Sequence, residues 1–291
     1  MTTVGAVFLP QFPPERLRPI AEAADEAGLA QLWLWEDCFQ ESGIAAAAAA
    51  LAWTDRLAVG VGLLPVPLRN VAITAMELAT LHRLFPGRAV LGVGHGVQDW
   101  MGQVGARVES PLTLLREQLD ALRELLAGRP VTTAGRYVRL DRVRLDWPPP
   151  APPPVLAGGE GPRTLRLAGG HADGTILTGG TTPAQIARAR GLLDEGRAEA
   201  GRTEPHPVTV YLLAATGPDA QSRVDAEGAR LGWPSTGDRA AAGSVGAVAA
   251  QVARWAAAGA DTVVLQPMED EPDPEAFVAF AAAVGRAVGA A

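Results

Sequence analysis

With 291 residues, the chain is long enough for one large α/β domain spanning residues 1–291, and its 48% hydrophobic content supplies a sizeable core. Against 32 acidic residues stand 25 basic ones, and the net charge of −7 argues against a nucleic-acid surface. Every basic residue is an arginine, which excludes Schiff-base chemistry on a lysine and any P-loop. No apolar run has the length and purity to span a bilayer, and no basic residue precedes Arg16 as a secretory signal would require. Cys38 is the single cysteine, which suits a reducing cytoplasm, the expected location.

Taken in chain order, periodicity and punctuation predict strand, helix, strand repeatedly. The first strand is expected at 4–9, with a helix at 14–27 closed by Gly28, and the second strand at 32–35 with an alanine-rich helix at 43–53. Residues 57–96 then give one complete βαβ unit: a strand at 57–64, a helix at 71–84, the turn Phe85-Pro86-Gly87-Arg88, and a strand at 89–93 running into Gly94-His95-Gly96. After a helix at 111–127 the alternation lapses. Residues 131–133 and 137–140 read as a hairpin and 147–154 as a proline-rich connector, an insertion between the fourth and fifth barrel strands. Strands resume at 155–157, 174–177, 208–215 and 262–266, and helices at 162–168, 183–200, 218–231, 244–258 and 275–287. Eight strands alternating with helices predict a closed (β/α)8 TIM barrel. An open doubly wound sheet competes, but no clean G-x-G-x-x-G opens the first helix.

In such a barrel, chemistry sits at the carboxyl ends of the strands. Those ends carry Glu36 and Asp37, His95 between two glycines, the run Gly158 to Gly161, and Thr178-Gly179-Gly180. They hold no histidine pair at metal spacing and no cysteine cluster, so no catalytic metal is expected. Five serines and no G-x-S-x-G leave nothing for a serine hydrolase. Glu36 and Asp37 are adjacent and point apart, which does not suit a glycosidase pair. Gly158-Gly159-Glu160-Gly161-Pro162-Arg163 places free N–H groups at a helix start, where phosphate binds, although an ordinary βα turn needs glycine as well. Cys38 reads as a small packing residue, and His82, His171 and His206 as structural or exposed. Trp33 and Trp35 share one face of their strand, with packing between barrel and helices as the expected role.

Two segments resemble the luciferase-like monooxygenase superfamily. One is Arg69 to Gly96, an arginine, a helix, then Gly-Arg and a Gly-x-Gly strand end; the other is Pro153 to Gly180, with Gly161-Pro162-Arg163, Leu165, Leu167-Ala168-Gly169 and Ala172-Asp173-Gly174 at the matching positions. The likeness is closest to the branch that uses the deazaflavin coenzyme F420. It implies a hydride-transferring oxidoreductase acting on a small organic substrate, with a homodimer as the assembly. It also implies a non-prolyl cis peptide on the third strand, best matched by Gly62-Leu63. Cofactor contacts are then expected from Gln11, Gly62, Leu63, Gly94, His95, Gly96, Gly158, Gly159, Glu160, Gly161, Arg163, Thr178 and Gly179. Glu36, Asp37 and His95 are the candidate proton-transfer residues; after strand two many relatives have a polar or acidic pair with histidine where this chain has Glu36-Asp37-Cys38, so His95 is the natural candidate for the histidine role. An FMN-dependent monooxygenase and a non-catalytic flavin-binding barrel are the alternatives.

Overall fold

The computed structural model describes residues 2–290. Among them, eight parallel strands close into a ring: β1 (Thr3–Phe8), β2 (Gln31–Leu34), β3 (Ala58–Pro65), β4 (Ala89–Gly94), β7 (Val155–Gly158), β8 (Gly174–Leu177), β9 (Val208–Ala215) and β11 (Thr262–Gln266). β9 pairs with β8 and β11, and β11 returns to β1, so the ring has no free edge. The (β/α)8 barrel expected from the alternation is therefore the fold.

The helices follow from local chemistry. α1 (Leu17–Ala27) ends where Gly28 takes a left-handed conformation at φ 72°, which glycine adopts without steric penalty. Asn70 caps α3 (Val71–Leu84) by accepting the Ala72 N–H at 2.9 Å. α6 (Pro162–His171) and α7 (Pro183–Glu199) both start on a proline, whose missing N–H costs nothing there. α2 (Gly43–Trp53), α5 (Pro111–Leu126), α8 (Ala220–Arg230), α9 (Val245–Ala257) and α10 (Pro274–Ala290) complete the outer layer, and the main core lies between helices and ring.

The insertion is a two-stranded antiparallel sheet, β5 (Val131–Ala134) with β6 (Arg139–Val143), the return strand lying slightly later than its β-propensity suggested. Glu117 of α5 pins it, its carboxylate accepting the N–H groups of Arg136, Tyr137 and Val138 at 2.8–3.0 Å.

Three features depart from the expectations. Trp33 does not pack between barrel and helices; it fills the barrel interior with Val7, Leu9, Leu156, Ile176, Tyr211 and Val264. Space for it exists because Gly60 faces it on the next strand, where a Cβ would lie 2.5 Å from the indole. A short parallel strand, β10 (Ala240–Ala242), extends the sheet beside the second half of β9; three alanines carry no strand signature. A helical turn and a half, α4 (Gln98–Gln103), follows β4 at the barrel mouth.

At the opposite end of the barrel His206 is buried, sharing a 2.8 Å hydrogen bond with the Thr175 hydroxyl. Burial, followed by the charges of Arg202, Arg197 and Arg190, lowers its pKa from 6.5 to about 4. The folded state thus holds it neutral while the unfolded chain binds a proton below 6.5, so its stabilisation is complete above that pH and is lost as pH falls towards 4. Thermal melts between pH 7 and pH 4 should show a loss on the order of 3 kcal/mol that His206→Gln flattens. A variant profile as steep as the parent's would assign the acid sensitivity to other groups.

Candidate active site

A cavity of about 410 Å3 opens at the carboxyl ends of the strands. Its floor is a bulge in β3. Val61 pairs with Leu91 and Leu64 with Val93, so β3 spends one more residue than β4 over the same span. The Gly62-Leu63 peptide within it is cis, as the resemblance implied; Cys38-Phe39, which was not foreseen, is cis as well. The Tyr211 hydroxyl donates to the Gly62 carbonyl at 3.1 Å. The Leu63 side chain lies over two glycines: a Cβ on Gly94 or Gly158 would approach Leu63 Cδ2 to 2.6 or 2.3 Å. Gly94 was expected at the cofactor, but it is buried beneath Leu63, and its lack of a side chain serves that packing.

Above this floor the structure brings together Glu36, Asp37, Gly62, Leu63, His95, Gly96, Gly158, Gly159, Thr178 and Gly179. Glu160 lies in an adjoining cavity of about 360 Å3, and Gly179 lines both. Gln11, Gly161 and Arg163 are exposed and line neither. Several lining residues escaped the sequence reading. Trp35 stands in the wall, as do Trp100 of α4, Val97 and Tyr211, while Arg188 and Arg239 line the second cavity. Tyr211 carried a signal, being the one aromatic residue in the run Val208 to Ala215, but its inward direction needs the register of β9.

The two adjacent acids have different surroundings. Glu36 is a structural carboxylate: Arg69 Nη2 reaches it at 2.7 Å, Arg69 Nε donates at 3.2 Å, and the Gly43 N–H donates at 2.9 Å. Arg69 also holds Glu77 at 2.7 Å, so one guanidinium joins the segment after β2 to α3, and Glu36 carries the link on to the start of α2. Burial alone acts on Asp37 and raises its carboxyl pKa, with no cation or N–H donor offsetting it. Burial lowers the pKa of His95, whose Nε2 lies 3.3 Å from the Thr164 hydroxyl and whose Nδ1 is buried without a partner in the chain. Trp35 Nε1 is likewise buried without an acceptor. Two orphaned polar atoms around a flat-floored cavity are what a ring with hydrogen-bonding edges would satisfy. Among the described residues no group of three or more His, Cys, Asp or Glu side chains could hold a metal ion, and no helix is long and apolar enough to cross a membrane.

A (β/α)8 barrel with a bulged third strand beneath a polar-edged cavity defines the structural class. The chain belongs to the luciferase-like monooxygenase family, whose model matches residues 2–233. It is 30% identical over 213 residues to a 5,10-methylenetetrahydromethanopterin reductase from Methanolobus tindarius, covering 73% of this chain and 64% of the relative. It is 33% identical over 186 residues to an F420-dependent glucose-6-phosphate dehydrogenase from Nakamurella multipartita, covering 60% and 55%. The matches thus span less than two thirds of these relatives' own lengths. Among solved structures, an F420-dependent secondary alcohol dehydrogenase in complex with an F420-acetone adduct superposes with a TM-score of 0.86 at 22% identity over 99% of both chains.

The floor makes its own prediction. A Cβ on Gly62 would sit 2.1 Å from the Tyr211 hydroxyl oxygen, so Gly62→Ala should cost about 1–3 kcal/mol of stability. Removing that oxygen in Gly62→Ala/Tyr211→Phe should recover part of the loss, making the two changes non-additive in denaturant melts. Strict additivity would place the clash elsewhere.

Proposed function

We propose that the protein is an oxidoreductase that moves a hydride between coenzyme F420 and a small organic substrate. The observation that carries this reading is the cavity itself: a floor made by Gly62-Leu63, with the orphaned Trp35 Nε1 and His95 Nδ1 at its sides. The relatives named for F420 support the choice of cofactor. When bound, a deazaflavin supplies a ring carbon that carries two electrons as hydride.

The chain's own groups then have distinct tasks. Leu63 and the Gly62 backbone would hold the ring, and Tyr211 fixes the Gly62 carbonyl for that task. Gly159, Thr178 and Gly179 would let a phosphate-bearing tail pass at close range towards Arg188 and Arg239, while Gly158 makes room for Leu63. Arg239 donates to the Gly180 carbonyl at 2.6 Å and packs over Trp233, which leaves its charge without a carboxylate partner. Asp37 is the proton-transfer group: it lines the cavity and burial raises its carboxyl pKa, which suits a group that exchanges a proton with a substrate atom. His95, kept neutral by burial, fits a hydrogen-bonding contact to the cofactor better than a proton donor. Glu36 drops out of that role because Arg69 and Gly43 occupy its carboxylate. A homodimer belongs to the same proposal and is checked by light scattering for twice the 30.2 kDa chain mass; a reducing cytoplasm is the proposed location.

Two measurements test this reading. Titrations followed by absorbance should show F420 binding about tenfold or more tightly than FMN, because two unpaired arginines wait for an anionic tail; equal or reversed affinities would overturn the cofactor choice. In single-turnover hydride transfer Asp37→Asn should slow the step by about 10²- to 10⁴-fold with cofactor affinity little changed, whereas His95→Ala should act chiefly on affinity. Asp37→Asn rates within about threefold of the parent would move the proton to another group.

A further inference from the structure

Charge is partitioned sharply around the two cavities. The larger one contains no arginine among its lining residues, although the chain has 25 basic side chains and all are arginines. Its walls are Trp35, Trp100, Tyr211, Leu63, Pro65 and Val97. Its ionisable side chains are Glu36, Asp37, His95 and Tyr211, the last buried and held as the neutral phenol.

The neighbouring groups deepen the asymmetry. Asp37 and Glu36 also line a third cavity that contains Glu41, Glu77 and Arg69. Arg69 is no free cation there, since Glu36 and Glu77 each hold it at 2.7 Å. Both carboxylate oxygens of Glu41 are buried and accept no hydrogen bond from the chain. Asp37 therefore stands between two cavities with no positive charge left over on either side. Arg188 and Arg239, two cations without carboxylate partners, lie beyond Gly179, where the cofactor tail would run. A second anion entering beside Asp37 would be desolvated among aromatic walls and set against a carboxylate with no cation to offset it.

We propose that the reacting half of the site accepts compact, uncharged or cationic molecules with an apolar body and rejects anions. This rests on the hydride-transfer reading for what such a molecule undergoes, but the charge selectivity belongs to the cavity alone. Glucose 6-phosphate, the substrate in one relative's name, is an anion and falls on the rejected side.

The test uses three probes with one ring and three charges: benzyl alcohol, benzylammonium and benzoate. Their binding to the full chain is measured by ligand-observed saturation-transfer NMR, with and without F420. Benzyl alcohol and benzylammonium should bind, and benzoate should bind about 30-fold or more weakly. The Asp37→Asn/Glu41→Gln variant should bring benzoate to within about threefold of the alcohol; if that variant does not fold, Asp37→Asn alone should narrow the gap by about threefold or more. Benzoate binding as well as the alcohol, a gap that the variants leave unchanged, or failure of all three probes to bind would overturn the proposal. A chain that sorts the probes by charge yet takes up no F420 would sink the cofactor reading and leave this one standing; F420 uptake with tight benzoate binding would do the reverse.

Discussion

One extra residue in β3 decides where the active-site floor lies. The bulge between Val61 and Leu64 turns Leu63 across the barrel mouth, where its side chain covers Gly94 and Gly158 on the next two strands. Two neighbouring strands have therefore given up side chains to receive one from a third. The Tyr211 hydroxyl completes the arrangement from the far side of the ring by holding the Gly62 carbonyl. Beneath it, Trp33 meets Tyr211 edge-on with ring centroids 6.0 Å apart, so the floor stands on a packed aromatic column. Interiors of this density transmit a displacement of one group to its neighbours, which ties the shape of the cavity to the closure of the barrel.

The second organising element is electrostatic. Arg69 sits between β3 and α3, and its two carboxylate partners come from the segment after β2 and from α3. Gln118 of α5 donates to the Arg69 carbonyl at 3.0 Å and fixes the backbone of the same residue. Adjacent acids acquire opposite duties through this network: Glu36 is consumed by it, while Asp37, one residue later, is left in a poorly solvated site with no cation bound to it. Environment separates the two roles, because the side-chain chemistry is nearly the same.

The ring of strands was legible because all but β2 carry a short apolar, β-branched run closed by glycine or proline, and because the insertion interrupts the alternation with proline. β10 was not legible, since Ala240 to Ala242 becomes a strand only through its pairing with β9. The strand-end rule located Asp37, His95, Gly158 and Thr178 around one cavity. It could not show which way a residue faces. Trp33 and Trp35 share a face, but whether that face is the helix layer or the barrel interior depends on tilt and closure, which are non-local. Gly94 illustrates a second limit: glycine reports that something approaches closely, and here the visitor is Leu63. Glu36 illustrates a third, since its partner Arg69 lies 33 positions away.

β9 divides its attention along its length. Its first residues, Val208 to Val210, bond to β8 on one side, and its last, Leu213 to Ala215, bond to β10 on that same side. The ring is thus sealed low on the strand, and the upper part belongs to a separate flap of sheet. The chain between the end of β9 and the start of β10, residues 216–239, lies outside the closing register, and Trp233 within it rests against Gly180 at the mouth. Length and composition in this segment can therefore vary without disturbing the hydrogen bonds that shut the barrel. The rim of the second cavity is free to diversify while the floor beneath the first stays fixed.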